Sequence, residues 1–125
     1  MIEFYFLLAL TIKHAFADFF LQSMRPFANK RQLLGRGLLH YMDHALCTAF
    51  VAVFFLNTWT AVVAAAVFDF VAHCAIDYSK NHLCGRLKIT QADKLYWRIQ
   101  AGDQMLHYIT GAVIVYYASV FQLLG

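Results

Sequence analysis

The stretch Trp59–Tyr78, WTAVVAAAVFDFVAHCAIDY, decides the fold class. As a helix it is long enough to cross the roughly 30 Å hydrocarbon core of a bilayer. Yet it carries Asp69, His73 and Asp77, spaced i, i+4, i+8, which places all three on one helical face. A single Asp at the bilayer centre costs about 2.5–3.5 kcal/mol on insertion scales. Such a stripe must face polar partners on other helices and not lipid.

The rest of the chain offers those partners. Ile2–Leu21, Gly37–Leu56 and Ile99–Leu124 are apolar stretches of similar length. The whole chain is 62% hydrophobic and 14% charged, where a soluble domain carries roughly 25% charged residues. Its 125 residues leave no room for a soluble catalytic domain. The expected fold is an all-α four-helix transmembrane bundle, one transmembrane domain over residues 1–125 with helices at about 2–22, 37–56, 59–79 and 91–124. The first stretch lacks the basic start and small-residue cleavage site of a secretory signal and holds Lys13, His14 and Asp18, so it reads as a retained helix. Cys47, Cys74 and Cys84 are odd in number, and two lie within apolar spans, so they read as small apolar fillers and not as a disulfide framework.

The formal charge of +3 says less than where the charges lie. Of ten Lys and Arg, only Lys13 falls outside two connections and their flanks. The first, Gln22–Arg36, holds Arg25, Lys30, Arg31 and Arg36, with Pro26 and Gly35 marking a turn. The second, Ser79–Arg98, holds Lys80, Arg86, Lys88, Lys94 and Arg98. The connection at Asn57 and Thr58 is tight and uncharged. The positive-inside rule then predicts an N-out/C-out arrangement, with both basic connections in the cytoplasm. Thr90-Gln-Ala-Asp93 resembles a capping box that starts the last helix at the membrane surface, where Trp97 and its basic neighbours anchor. Gly102 is a place for that helix to bend, and Ala64–Ala66 would let helix three approach a neighbour closely.

Beyond Glu3 and Lys13, the ionisable residues inside the spans are His14 and Asp18; His40, Asp43 and His44; Asp69, His73 and Asp77; Asp103 and His107. Every helix contributes one stripe. Counted from the basic connections, all four stripes fall in the cytoplasmic half, in a layer roughly 15 Å deep. Interhelical polar glue, worth about 0.6 kcal/mol per bond, explains one pair more readily than four stripes in register. Imidazole and carboxylate suit zinc, manganese or iron, and the absence of thiolate argues against copper(I) or an iron–sulfur cluster. The candidate ligands are His14, Asp18, His40, His44, His73, Asp77, Asp103 and His107. They suffice for one ion with an outer network or for two ions about 3.5–4 Å apart. Asp43 or Asp69 would serve as base or outer partner, and Gln22 and Gln104 would orient ligands or substrate. Asp43 is equally suited to pairing with a basic residue on the helix flank. His82 reads as a solvated residue, and Phe19, Phe20, Phe54, Phe55, Phe68 and Phe70 as lipid-facing or packing residues.

These residues also carry a resemblance. H-x-x-x-D-F-x-L-Q at His14–Gln22, the histidines His40 and His44, H-x-x-x-D at His73–Asp77 and D-Q-x-x-H at Asp103–His107 cover nearly the whole chain. Together they resemble a family of small phage and bacterial integral membrane proteins known only as a domain of unknown function. That resemblance implies a multi-pass protein of the bacterial inner membrane, phage-encoded in some cases. A looser similarity to membrane-bound metal-dependent hydrolases implies hydrolysis.

The leading expectation is a metal-dependent hydrolase of the cytoplasmic leaflet. Its substrate would be a phosphoester of a lipid or of a nucleotide reaching the surface, with Arg25, Lys30, Arg31 and Arg36 placed to hold the phosphate. A divalent-metal carrier or channel would use the same ligands, but the outer halves of the helices lack comparable polar groups. A non-enzymatic phage membrane protein with a structural polar core predicts no metal. A bis-histidine haem site would not need so many aspartates. The bilayer is the expected partner, sequence-specific nucleic-acid binding is not expected, and oligomerisation is left open.

Overall fold

The computed structural model describes residues 1–24 and 36–125, the side chains of Gln22 and Arg36 excepted. The first basic connection, with Arg25, Lys30 and Arg31, and the Gln22 side chain therefore lie outside the described residues. Helix α1 (Ile2–Ala15) runs on into a π-helical segment (Phe16–Leu21) and a last α-turn (Gln22–Met24). It is followed by α2 (Arg36–Ala52), α3 (Trp59–Leu87) and α4 (Lys94–Val120). Among the described residues there is no strand beyond one isolated bridge, Leu56 to Leu124. Each helix packs on its two neighbours in a closed ring, α1 on α2 and α4, and α3 on α2 and α4.

Local chemistry sets the ends. The Thr58 hydroxyl caps α3 by accepting from the Ala61 N–H at 3.2 Å. This helix continues to Leu87, well past the expected boundary at 79. No proline interrupts it, and the Asn81 side chain donates to the Asp77 carbonyl (2.9 Å). It stops in a Schellman motif: Ile89 N–H donates to the Cys84 carbonyl (3.1 Å) and Lys88 N–H to that of Gly85 (3.3 Å), with Lys88 left-handed at φ 52°. Helix α4 begins at Lys94 and not near 91. Thr90 N–H does donate to the Asp93 carboxylate (2.7 Å), but Asp93 itself occupies the N-cap position, where its carboxylate makes no capping bond to the helix among the described residues. Residues 90–93 form a separate turn closed by Asp93 N–H to the Thr90 carbonyl (2.9 Å). The helix runs unbroken through Gly102.

The interior has two storeys. At the end holding both termini, the C-terminal residues pair with the α2–α3 turn through Asn57 N–H to Leu123 O (2.8 Å) and Gly125 N–H to Phe55 O (2.9 Å). Beneath that pairing Phe6, Leu10, Leu56, Val62, Ala65 and Ile114 form an apolar core. Of the Ala64–Ala66 run only Ala65 is buried, with Ala61 and Ala118 beside it in this core, while Ala64 is exposed. Toward the opposite end the interior turns polar: His40, His44, His73, Asp77 and Asp103 are each buried to 4% exposure or less. The outside is apolar instead, with Phe50 at 69%, Met105 at 62% and Val71 at 58% exposure. Among the described residues two helical segments, Ile2–Leu21 and Trp59–Leu87, are long and apolar enough to cross a membrane. The four expected spans are thus not all independently of that kind. Over the described residues helix α2 has 17 residues and carries His40, Asp43 and His44, and the first turns of α4 hold Lys94, Arg98 and Asp103.

Candidate metal centre

The polar storey is built from one face of each helix. On α3, Asp69, His73 and Asp77 point inward one turn apart, all buried. On α4, Asp103 and His107 do the same, with His107 Nε2 3.7 Å from Asp103 Oδ1. Asp18 comes from the π-helical segment, a wide turn that recurs at functional sites because it displaces side chains from the regular helical register. Its Oδ2 lies 3.2 Å from His14 Nε2, and its Oδ1 lies 3.3 Å from His44 Nε2 and 3.5 Å from His40 Nε2. Asp77 is arranged alike, with Oδ1 3.2 Å from His107 Nε2 and Oδ2 3.5 Å from His40 Nε2.

At the centre, the ring of His73 stacks between those of His44 (3.6 Å between centroids) and His107 (3.9 Å). His14 lies 4.8 Å from His107 on the same measure. The donors sort into three groups that could hold a metal ion: Asp18, His40, His44 and His73; His14, His73 and His107; and Asp77, Asp103 and His107. Within each group the ligand atoms lie within 4.8 Å of one another. Buried polar atoms are nearly always satisfied, and each one left without a partner costs about 1–3 kcal/mol. Here His14 Nε2, His40 Nε2, His73 Nε2, His107 Nδ1 and Asp103 Oδ1 are buried and make no hydrogen bond among the described residues. Cations held within these groups would satisfy such atoms, so the donor set fits metal binding in chemistry as well as in spacing.

Two lysines frame this layer. Toward the apolar storey, Lys13 Nζ donates to Asp69 Oδ2 at 2.8 Å, and the Thr48 hydroxyl donates to the same oxygen at 2.8 Å. At the opposite edge, Lys80 Nζ donates to Asp103 Oδ2 and Gln100 Oε1, each at 3.1 Å, and lies 4.0 Å from Asp77 Oδ1. Lys80 and Asp103 also line a groove of about 640 Å³ between α3 and α4, otherwise walled by residues such as Ile76, Leu83, Met105 and Ile109.

All eight expected ligands, His14, Asp18, His40, His44, His73, Asp77, Asp103 and His107, fall in these groups. Of the expected catalytic or positioning residues, Asp69 is engaged by Lys13 and Thr48. Gln104 is half-buried and donates to Asp103 Oδ2 at 3.3 Å. Asp43, half-buried on α2, joins none of the three groups. Sequence reasoning passed over Lys13, Thr48 and Lys80. A lysine within an apolar run with no acid one turn away, as at Lys13, was the available signal for a partner on another helix.

These features define a class: a helical protein with, among the described residues, two membrane-length apolar segments and buried His/Asp clusters that could hold a metal ion. The chain belongs to the family described as protein of unknown function (DUF3307), whose model matches residues 6–124. No curated protein and no solved structure matches it.

Proposed function

We propose that this chain is a membrane-embedded, metal-dependent hydrolase of a lipid phosphoester, with all four helices in the bilayer and the polar storey toward the cytoplasm. The observation that carries this reading is the meeting of eight His and Asp donors from four helices in three ion-sized groups. The membrane setting is supported by the reversed distribution of polarity, since soluble monomers rarely expose contiguous apolar surface beyond a few hundred Å². Exposed Phe50, Val71, Met105 and Ile109 suit hydrocarbon, not water.

Bound divalent ions would supply Lewis acidity to a phosphoryl oxygen and to water. The chain's own residues do the rest. Asp18, Asp77 and Asp103 supply the negative charge that retains cations, and the imidazoles supply neutral donors. Lys80, at the polar end of the α3–α4 groove, is placed to donate to a phosphate oxygen. The groove's apolar walls suit a hydrocarbon chain, which favours a lipid over a nucleotide. Asp69 and Lys13 close the layer on the far side. A carrier is disfavoured by the same pair, because a divalent cation leaving toward the termini would meet the Lys13 ammonium and then the apolar core.

The test is elemental analysis of protein purified in mild detergent without chelator, on wild type, His40→Ala and His73→Ala, combined with phosphate release from phosphatidic acid and from nucleotides. Bound metal in wild type, reduced in both variants, with phosphate released from the lipid, is the expected result. A metal-free wild type removes the hydrolase and the carrier alike. Release from nucleotides alone would move the substrate out of the groove.

A further inference from the structure

The donors do not form one shell. An ion bound by nitrogen and oxygen at about 2.0–2.2 Å needs all its ligand atoms within about 4.4 Å of one another. Two of the groups, Asp18/His40/His44/His73 and Asp77/Asp103/His107, share no residue. We propose that the cluster is built for two divalent ions of different character: a closed four-donor site at Asp18, His40, His44 and His73, and an open three-donor site at Asp77, Asp103 and His107. This rests on the metal-binding reading above and adds to it a count and a division of labour.

Asp77 of the open set stands at the junction of the two. Its two oxygens face opposite ways, Oδ1 toward His107 of the open set (3.2 Å) and Oδ2 toward His40 of the closed set (3.5 Å). His73 of the closed set, with 2% exposure and an Nε2 that makes no hydrogen bond among the described residues, stacks on His44 of its own set and on His107 of the open one. Four protein donors fill a tetrahedral shell, whereas three leave a position for water or substrate, the usual difference between a structural and a catalytic ion. The three-donor set is also the one beside the α3–α4 groove. Asp103 faces both ways there: Oδ2 accepts from Lys80 and Gln104, while Oδ1 is buried and accepts no hydrogen bond among the described residues. Asp103 thus offers one oxygen to an ion and holds Lys80 with the other. The charges agree with an anionic substrate. Three carboxylates and Lys80 leave two negative charges, and two divalent cations turn these into two positive ones, which a phosphomonoester dianion would neutralise.

Cobalt(II) titration of chelator-stripped protein in detergent, with elemental analysis of the loaded samples, tests this. Wild type should bind two equivalents. Asp103→Asn and His44→Ala should each bind one. The visible spectrum of the ion left in His44→Ala should change on adding inorganic phosphate, which enters the open position, and that of the ion left in Asp103→Asn should not. Helical circular dichroism and monodisperse elution identify folded variants, and a second pair, His107→Gln and His40→Gln, repeats the comparison should either fail. One equivalent in wild type overturns the two-ion proposal while sparing the metal-binding reading, and none overturns both. A folded variant of either set that keeps two ions, or loses both, overturns the division into sites.

Discussion

Lys13 and Asp69 are buried to 7% and 8% side-chain exposure at the boundary between the two storeys. Breaking such a pair from one side leaves a buried charge alone and costs about 3–5 kcal/mol, whereas replacing both members with apolar residues is often neutral. Lys13→Met is therefore expected to lower unfolding stability in mixed micelles by that amount, and Lys13→Met/Asp69→Leu to recover most of the loss. A double variant as unstable as the single would mean that Asp69 matters for something other than this pair. Lys80 makes a different claim. A charge-assisted hydrogen bond is worth about 1.5–3 kcal/mol, so Lys80→Met should lower kcat/KM on phosphatidic acid about 10- to 100-fold while metal content stays at the wild-type value. Unchanged turnover would remove Lys80 from phosphate recognition. The eight clustered donors could be read from sequence because their i, i+4 spacing is a local signal. The partners of Lys13 and Lys80 could not, because Asp69 and Asp103 stand on other helices, 56 and 23 residues away.

At the scale of the element, hydrophobic length located the helices but capping chemistry set their ends. Asp93 looked like the third residue of a cap at Thr90 and proved to occupy the cap itself. Helix α3 outlasts its apolar run because polar residues beyond Tyr78 still find partners, Asn81 on Asp77 and Lys80 on Asp103. The π-helical segment at Phe16–Leu21 had no sequence signature, since its wider turn holds Asp18 in a tertiary setting shared with His40 and His44 of α2. The end of α3 gives a direct test. Lys88 sits at φ 52°, where a Cβ is penalised and glycine is the usual occupant. Lys88→Gly is expected to raise stability by about 0.5–1 kcal/mol, after the extra chain entropy of glycine is deducted. A loss of stability would show that the Lys88 side chain holds a contact stronger than the backbone penalty.

For the whole molecule, the decisive contrast is between a pocket and a path. A carrier must expose its ligands alternately to both faces, with the site near the midplane and polar groups leading from it each way. Here the ligands crowd one storey, and the other is filled by Phe6, Leu10, Val62 and Ile114, with Phe6 stacked on Phe55 at 4.9 Å. The C-terminal residues, hydrogen-bonded to the α2–α3 turn, cap that storey from beyond. Opening a route through it would separate close-packed side chains and draw a divalent cation past Lys13, and both steps raise the barrier. Proteoliposomes loaded with a metal-sensitive dye should therefore show no more cobalt or manganese entry than protein-free vesicles, in either orientation of the bundle. Lys13→Ala should not create a leak, because the apolar storey remains. Saturable entry into wild-type vesicles that His73→Ala abolishes would make the same histidines part of a transport path, and the hydrolase reading would give way to a carrier.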